Sequence, residues 1–589
     1  MQPVLIPEST GSVRVAGLGP DVADLGSGGA GLGSGGGGRR IAAGELAAVV
    51  RATNAAARWT WDDTNRWYPA LLAAGVRVER AYDLRLSHRI LRQSALTAWP
   101  EPDGAPPGPW DLMPATPLYA PTDEPAMLFG APGETGTVRP GPDPVAELAR
   151  QSQVVDASAA SGRLRLLLAA ESAGALVAVE LFHTGLPWLA DVHDAILTEV
   201  LGPRPRLGER PARLEELAQR IRTAIGAPAS LNPDSHRDLL KAMERAGVGA
   251  RTLRKWDLEK IEHPVIEPLL EYKSLYRLLT ANGWTWLDAW VRDGRFRSEY
   301  VVGGVVTGRW ASSGGGALQL PKTVRGAVVA DPGWTFVVAD AAQLEPRVLA
   351  GMAADEAMAA AGRGPDGRGA DMYAGIVASG AVATRELAKV GMLGAMYGGT
   401  TGSSGQVLPR LAKAFPRSLA FVDEAARAGE RGEIVTTHLG RSSPLPGATW
   451  HELQAGAYQD DAGEDDVAKA RSYSRSWGRF TRNFVVQGTA AEWAMCWLAS
   501  IRRRLWALGV VDDAASGAAA RVPAPFAGRP HLVLFLHDEV VVHTPAALAD
   551  SVVDEVRAAA AEAGRLLFGD FPVQFPLSVA VADRYADAK

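Results

Sequence analysis

The sequence predicts an α+β fold in which one sheet is opened by a large helical insertion. Three observations carry this. "WTFVVADAAQLEPRVLA", Trp334 to Ala350, is apolar until it meets Asp340, as a buried strand would be. "HLVLFLHDEVVVHT", His531 to Thr544, is apolar on both sides of His537-Asp538-Glu539, and reads as a strand, a tight acidic turn and a returning strand. The roughly 200 residues between Asp340 and Asp538 are mostly helical in pattern. Two strands of one sheet, each delivering an Asp, with helices between them is an interrupted α+β layout, unlike a doubly wound sheet.

In chain order, the Gly/Ser tract "GSGGAGLGSGGGG" at 26–38 cannot pack a core and reads as a flexible loop or linker. From about 40 to 175 the pattern is short helices and loops, with a Pro-rich stretch at 100–145. Helical periodicity dominates 176–290, as in "HRDLLKAMERAG" and "HPVIEPLLEYKSLYRLL". Short strands and turns follow, through Thr307, to the strand near 335–340. From 370 to 505 the chain is again helical, interrupted by "YQDDAGEDDVAKA", a charge run expected to be a solvated loop. A Gly/Ala/Pro loop at 511–529 precedes the His537 hairpin, and no internal repeat is present.

Composition narrows the classes. The 589 residues hold 64 glycines and 39 prolines, about 17% against an average near 12%, yet 47% hydrophobic content supports several packed domains. A net charge of −5 gives no general affinity for nucleic acid, although a basic groove can sit on an acidic surface. The single cysteine, Cys496, excludes a disulfide framework and a Cys-ligated zinc site, and suits a reducing cytoplasmic setting. "MQPVLIPEST" lacks the order of a signal peptide. "LLLAAESAGALVAVELF" carries Glu171 and Glu180 and makes a poor membrane span, so a soluble protein with no membrane partner is expected.

Asp340 has a plain reading, as a cap for the helix that follows, with Glu345 and Arg347 on a solvated face. The second acidic strand end at Asp538 opens another. Hard Mg²⁺ ions prefer oxygen ligands, so two carboxylates plus substrate phosphates suit a pair of such ions. In the insertion, Arg385, Lys389, Leu393 and Tyr397 recur every four residues along one helix face, which Gly398-Gly399 end. This is either an ordinary amphipathic helix or a rail gripping a polyphosphate, with Arg for bidentate contact and Lys as a point charge. Arg479, Asn483 and Gln487 share a second helix face and are either buried core polar groups or readers of a duplex minor groove. "TGRWASS" adds Arg309 in a Gly/Ser setting.

In this order, "TGRWASS", "DAAQLEPR", "RELAKVGMLGAMYG", "RNFVVQGTA" and "HDE" resemble the sequence landmarks of family A DNA polymerases, the bacterial DNA polymerase I class. The resemblance runs from about 176 to 589, includes "EIVTTHLGRSSPLP", and points to the actinobacterial branch that joins a 3′–5′ exonuclease to a polymerase. It implies a right-hand fold: connecting helices and thumb at 176–300, palm at 301–356 and 476–589, and fingers at 357–475. It implies that Asp340 and Asp538 hold two Mg²⁺ with Glu539 in support, and that Arg385 and Lys389 grip a deoxynucleoside triphosphate, Lys389 also serving the chemistry. Gln343, Glu345, Leu393 and Tyr397 complete the nucleotide site, with Glu345 where the sugar must pass. Arg309, Arg479, Asn483, Gln487 and His537 would meet primer-template DNA. A cytoplasmic, nucleoid-associated monomer acting in repair or gap filling is the corresponding expectation.

The sequence departs from the family pattern at three places. Leu393 replaces an aromatic residue, Ala341-Ala342 replace Tyr-Ser, and Tyr373 replaces a histidine, which bears on nucleotide selection. Residues 1–175 resemble the family's RNase H-like 3′–5′ exonuclease domain, in length and in "AYDLRLSHRILR", but in degenerate form. Its first strand is expected near "GSVRVAGLGPD", where no Asp-x-Glu occurs. Asp62 and Asp63 lie in a helical setting that suits a cap, and Glu171-Ser172 stand where the last catalytic Asp would be. The domain is therefore expected to lack proofreading, with no room for a separate 5′-nuclease ahead of it. Two rivals remain: a single-subunit RNA polymerase or reverse transcriptase, against which Glu345 argues, and a non-catalytic DNA-binding scaffold, in which paired buried carboxylates would only repel.

Overall fold

Alternating or wholly apolar runs build the two larger of the four sheets among the described residues. The computed structural model describes residues 2–7, 12–17, 38–53, 57–100, 105–118, 142–206, 208–363, 369, 371–399, 402–457, 459, 463–511 and 521–588. The Gly/Ser tract apart from Gly38, much of the Pro-rich stretch, most of the start of the acidic segment and residues 512–520 of the 511–529 loop fall outside these. The chain divides into two compact units. One comprises 1–184, 299–313 and 332–581, and the other 185–298, 314–331 and 582–589.

In the first unit, β1 (Val4–Pro7), β2 (Ser12–Ala16), β3 (Arg39–Ala42), β4 (Trp59–Trp61) and β5 (Ala81–Asp83) form a sheet of order β3-β2-β1-β4-β5. β1, β2 and β3 pair antiparallel, while β4 lies parallel to β1 and β5 parallel to β4. One expectation changes here: "GSVRV" is the second strand, not the first. Asp62 and Asp63 stand between a short strand and a helix, as the cap reading expects. Trp59 and Trp61 are fully buried, which explains how a three-residue strand survives in a segment whose polar residues suggest a helix. Asp63 then caps the helix Thr64–Ala73 by accepting from Asn65 N.

The apolar helix Ser161–Thr184 is long enough to cross a membrane by length and composition, yet it is largely buried inside this unit. It packs on the helix Thr64–Ala73, on β5 and on the long helix Glu464–Ala507. A boundary at 175 cuts through it; the unit's first segment ends at Thr184.

The second sheet holds the predicted acidic strands. Its order is His531–Leu536, Glu539–Pro545, Trp334–Ala341, Leu577–Ala582. Trp334–Ala341 and Glu539–Pro545 pair antiparallel from Trp334 opposite Pro545 to Asp340 opposite Glu539. Phe336, Val337, Val540, Val541 and Val542 are wholly buried, because the helices Glu464–Ala507 and Ala549–Phe568 pack on this sheet.

Between the strands lies the helical insertion, including Leu344–Met352, Met372–Ala378, Arg385–Tyr397, Gly402–Ala414 and Pro416–Glu430. Met392, Met396, Leu411, Phe415, Val422 and Phe484 share its core. The acidic segment is not a loop throughout. From Glu464 it is the first turn of a 44-residue helix, where Glu464, Asp465 and Asp466 complement the positive end of the helix dipole. That helix also crosses the expected 475 boundary.

The second unit contains the helices Ala190–Leu201, Ala212–Ala224, His236–Arg245, Ile266–Asn282 and Trp284–Trp290. Trp188, His193, Trp286 and Phe296 pack at tilted and edge-on angles in its core, and the buried Arg295 pairs with Asp331.

Candidate active site

Asp340 and Asp538 meet at one end of the second sheet. Asp340 is the penultimate residue of its strand, which runs on to Ala341. It is no helix cap, since the residue before the helix Leu344–Met352 is Gln343, in the left-handed region at φ 50°. Asp538 sits in the hairpin turn behind His537, itself at φ 62°. Ala341 N donates to the Asp538 carbonyl at 2.9 Å, tying the hairpin tip to the neighbouring strand. Burial, and then the nearby Asp340 carboxylate, push the Asp538 carboxyl up to about 6. Glu539, opposite Asp340 in the register, is buried.

Beside the aspartates, Glu345 is held by two elements distant in sequence. Arg309 Nη2 donates to Glu345 Oε1 at 2.6 Å. Tyr397 Oη lies 3.0 Å from both Glu345 oxygens. Burial and the Glu345 charge push the Tyr397 phenol upward, so it stays a donor. His537 is held below the ordinary histidine range by desolvation and by Arg309.

The helix Arg385–Tyr397 begins at Thr384, whose side chain accepts from Leu387 N, and ends at Gly398 at φ 74°. A side chain at Gly398 would meet Arg479 Cγ at 2.5 Å, so the glycine both closes the helix and admits Arg479. Arg385 and Lys389 lie on its exposed face, with Leu393 and Tyr397 38% and 42% exposed. Arg385 Nε donates to Asp371 Oδ2 at 2.6 Å, and its guanidinium lies 5.7 Å from the Tyr373 ring centre. Burial would raise the Asp371 carboxyl, but the Arg385 hydrogen bond and charge hold it low. On the long helix, Gln487 accepts from Thr307 Oγ1 at 2.9 Å, and the Asn483 side chain meets Tyr397, where it opposes the upward shift of that phenol.

Gln343 is committed elsewhere. Its Oε1 accepts from Met372 N at 3.2 Å and from Arg347 Nη2 at 3.3 Å. Arg347 is not on a solvated face, for it is 1% exposed. It donates to the carbonyls of Ala342, Gly362 and Gln574 and fixes the turn after Asp340. Sequence reasoning also passed over Asp371, Thr307 and Glu492. Glu492 accepts from Thr437 Oγ1 and Leu439 N, and burial pushes its carboxyl up to about 7. A lone Glu among "QGTAAEWAM" was the available signal.

Two half-buried aspartates that repel each other fit divalent cations, whose charge relieves that repulsion. Among the described residues no group of three or more His, Cys, Asp or Glu is placed to hold a metal ion by itself.

Comparison with known proteins bears on the family and the fold. Residues 208–587 match DNA polymerase family A. The thermostable DNA polymerase I of Thermus thermophilus is 25% identical over 474 residues, covering 70% of this chain and 51% of its own. DNA polymerase I of Chloroflexus aurantiacus is 26% identical over 376 residues, covering 56% and 35%. The chain thus spans about half or less of these relatives' lengths. The POL domain of Pol1 from M. smegmatis, solved in complex with DNA primer-template and dNTP, superposes with a TM-score of 0.62 at 16% identity. That superposition covers 100% of this chain and 95% of the other, a likeness of fold. The chain belongs to DNA polymerase family A.

Proposed function

We propose that this chain extends a primer 3′-hydroxyl on a DNA template with deoxynucleoside triphosphates. The observation that carries the reading is the placement of Asp340 and Asp538 at one sheet end, next to a Glu345 carboxylate held by Arg309 and Tyr397. Asp340 and Asp538 would hold two Mg²⁺, with Glu539 behind them. Ions bound there supply charge neutralisation for a triphosphate and a lower pKa for a coordinated hydroxyl.

The chain's own groups do the rest. Arg385 and Lys389, one turn apart on an exposed helix face, bind the triphosphate, and Arg385 exchanges the Asp371 carboxylate for phosphate oxygens. Tyr397 and Leu393 pack on the nucleotide, with Glu345 filling the space where a 2′-hydroxyl would sit. Arg309, Arg479, Asn483, Gln487 and His537 line the side of the site where the primer-template lies. Gln343 acts indirectly, by orienting Arg347 and the start of the helix Met372–Ala378.

The N-terminal sheet is proposed to be an exonuclease-like domain without proofreading. Its acidic groups are spent on the protein itself. Asp62 accepts from Trp67 Nε1 and Arg66, Asp63 from Asn65 N and Thr116 N, and Asp83 from Thr64 and Leu86 N. A soluble monomer in the cytoplasm, working in repair or gap filling, is the setting that fits this role.

The test is primer extension with Mg²⁺ by wild type, Asp340→Ala and Asp538→Ala, alongside duplex binding. Loss of extension with binding retained is expected. Extension by either variant near the wild-type rate refutes the assignment.

A further inference from the structure

Glu171 lies on the helix Ser161–Thr184, in the N-terminal part of the chain, and is almost completely buried. A buried carboxylate needs a partner, and Arg441 Nη2 donates to its Oε1. Both side chains are shielded, 3% and 12% exposed. Arg441 in turn lies against Gly308. A Cβ there would meet Arg441 Nε at 2.5 Å and Cζ at 2.9 Å, and the backbone φ of +86° already excludes most side chains. Gly308 precedes Arg309, the residue that holds Glu345.

The turn that presents Arg441 is fixed from two directions. On one side, Thr437 and Leu439 are held by Glu492, and His438 N by Thr489 Oγ1 at 3.0 Å. On the other, the Gly440 carbonyl accepts from Ser94 Oγ at 2.7 Å, and Ser442 Oγ accepts from Ala95 N at 2.8 Å. The Thr307–Arg309 turn is also pinned, through Gly308 N to the Val305 carbonyl at 2.8 Å and Val305 N to the Arg309 carbonyl at 3.0 Å. The two turns meet over Gly488, where a Cβ would strike Thr437 Cγ2 at 2.4 Å and approach the Thr307 carbonyl at 3.2 Å. Packed, hydrogen-bonded contacts therefore run without a break from Glu171 to Glu345.

We propose that Glu171 and Arg441 are positioning residues for nucleotide sugar selection: the pair braces the Gly308–Arg309 turn and so fixes Glu345 in the nucleotide site. The N-terminal domain then serves the polymerase site directly, and the acidic residue on its apolar helix is a structural strut for chemistry elsewhere in the same unit. This rests on the reading of Glu345 as the group that excludes a 2′-hydroxyl.

The experiment is single-nucleotide insertion on a primer-template, with a deoxynucleotide and the matching ribonucleotide, using Glu171→Gln, Glu345→Ala and the double variant. Glu171→Gln keeps the shape and removes the charge. It should reduce sugar discrimination about tenfold, with KM for the deoxynucleotide rising more than kcat falls. In the double variant it should add nothing to the effect of Glu345→Ala, because both act through one group. Unchanged discrimination in Glu171→Gln, or full additivity in the double variant, overturns the brace. A lowered melting temperature with unchanged selectivity does the same, since it marks the pair as merely stabilising. Should Glu171→Gln fail to fold, Arg441→Lys carries the test, because it keeps a positive charge for Glu171 but loses the guanidinium that lies against Gly308, and it must show the same loss. If Glu345→Ala itself leaves discrimination intact, the sugar-gate reading is wrong and the brace falls with it.

Discussion

Replacing Glu345 with alanine removes the acceptor shared by Arg309 and Tyr397, and the size of the effect follows from those contacts. The Arg309 bond is short, 2.6 Å, and joins two charges. Hydrogen bonds to a charged group contribute about 1.5–3 kcal/mol, and partial solvent exposure brings such a pair toward the lower figure. Arg309 is 32% exposed and Glu345 14%, so about 1.5 kcal/mol suits their bond. Tyr397 adds about 1 kcal/mol more. Alanine also opens the space that the carboxylate fills. Together these predict that discrimination between deoxy- and ribonucleotides falls by roughly 10- to 100-fold, at about 1.4 kcal/mol per tenfold. Tyr397→Phe, which keeps the ring and loses one donor, should cost only a fewfold. The assay is steady-state kcat/KM for each nucleotide type on one primer-template. A ratio within twofold of wild type, in a Glu345→Ala protein that still extends with deoxynucleotides, would refute the argument.

Three further outcomes are expected. Leu393, 38% exposed on the helix proposed to face the nucleotide, offers no hydroxyl, so Leu393→Tyr should raise dideoxynucleotide acceptance in a termination assay, and equal use by wild type would contradict this. A mispaired labelled primer incubated with the protein and Mg²⁺ but no nucleotide should not shorten from its 3′ end; shortening that persists in Asp340→Ala would show that Asp62, Asp63 and Asp83 still serve a nuclease. Burial raises the Glu492 carboxyl from 4.5 to about 7, so between those values the folded state keeps a proton that the unfolded state has lost. Stability on this account falls as pH rises from about 4.5 to 7 and is level above, and Glu492→Gln should flatten that slope in pH-dependent melting by up to a few kcal/mol.

Much of the fold could be read because it is written in local pattern. Strands covered on both faces need an apolar stretch at their centre, and Phe336–Ala339 and Val540–Val542 supply it. The Arg385 helix has a Thr cap, a four-residue repeat and a closing glycine, all local signals. Where local and tertiary preferences compete, local pattern misleads. The acidic run at 464–466 looks like a solvated loop, yet negative charge favours the first turn of a helix that the chain continues for about eleven turns more. β4 is three residues long, and only the burial of Trp59 and Trp61 holds it in the sheet.

The site divides along the same line. Asp340, Asp538 and the Arg385–Tyr397 face announce themselves because each belongs to a segment whose geometry its own neighbours dictate. What the sequence hides is the wiring between segments. Gln343 has the composition of a ligand-contacting residue, but its side chain is consumed by Arg347 and Met372, 4 and 29 positions away. Arg347 alternates with Glu345 along "QLEPR" as a solvated charge would, yet it is buried, because three carbonyls from separate turns converge on its guanidinium. Glu171 and Arg441 are 270 residues apart, and neither lies in a motif that suggests the other. A buried ion pair of this kind costs desolvation that only an assembled environment offsets. Its presence can be known only when the chain has brought both ends together, which is also why its loss should be felt at Glu345 rather than where the charge was removed.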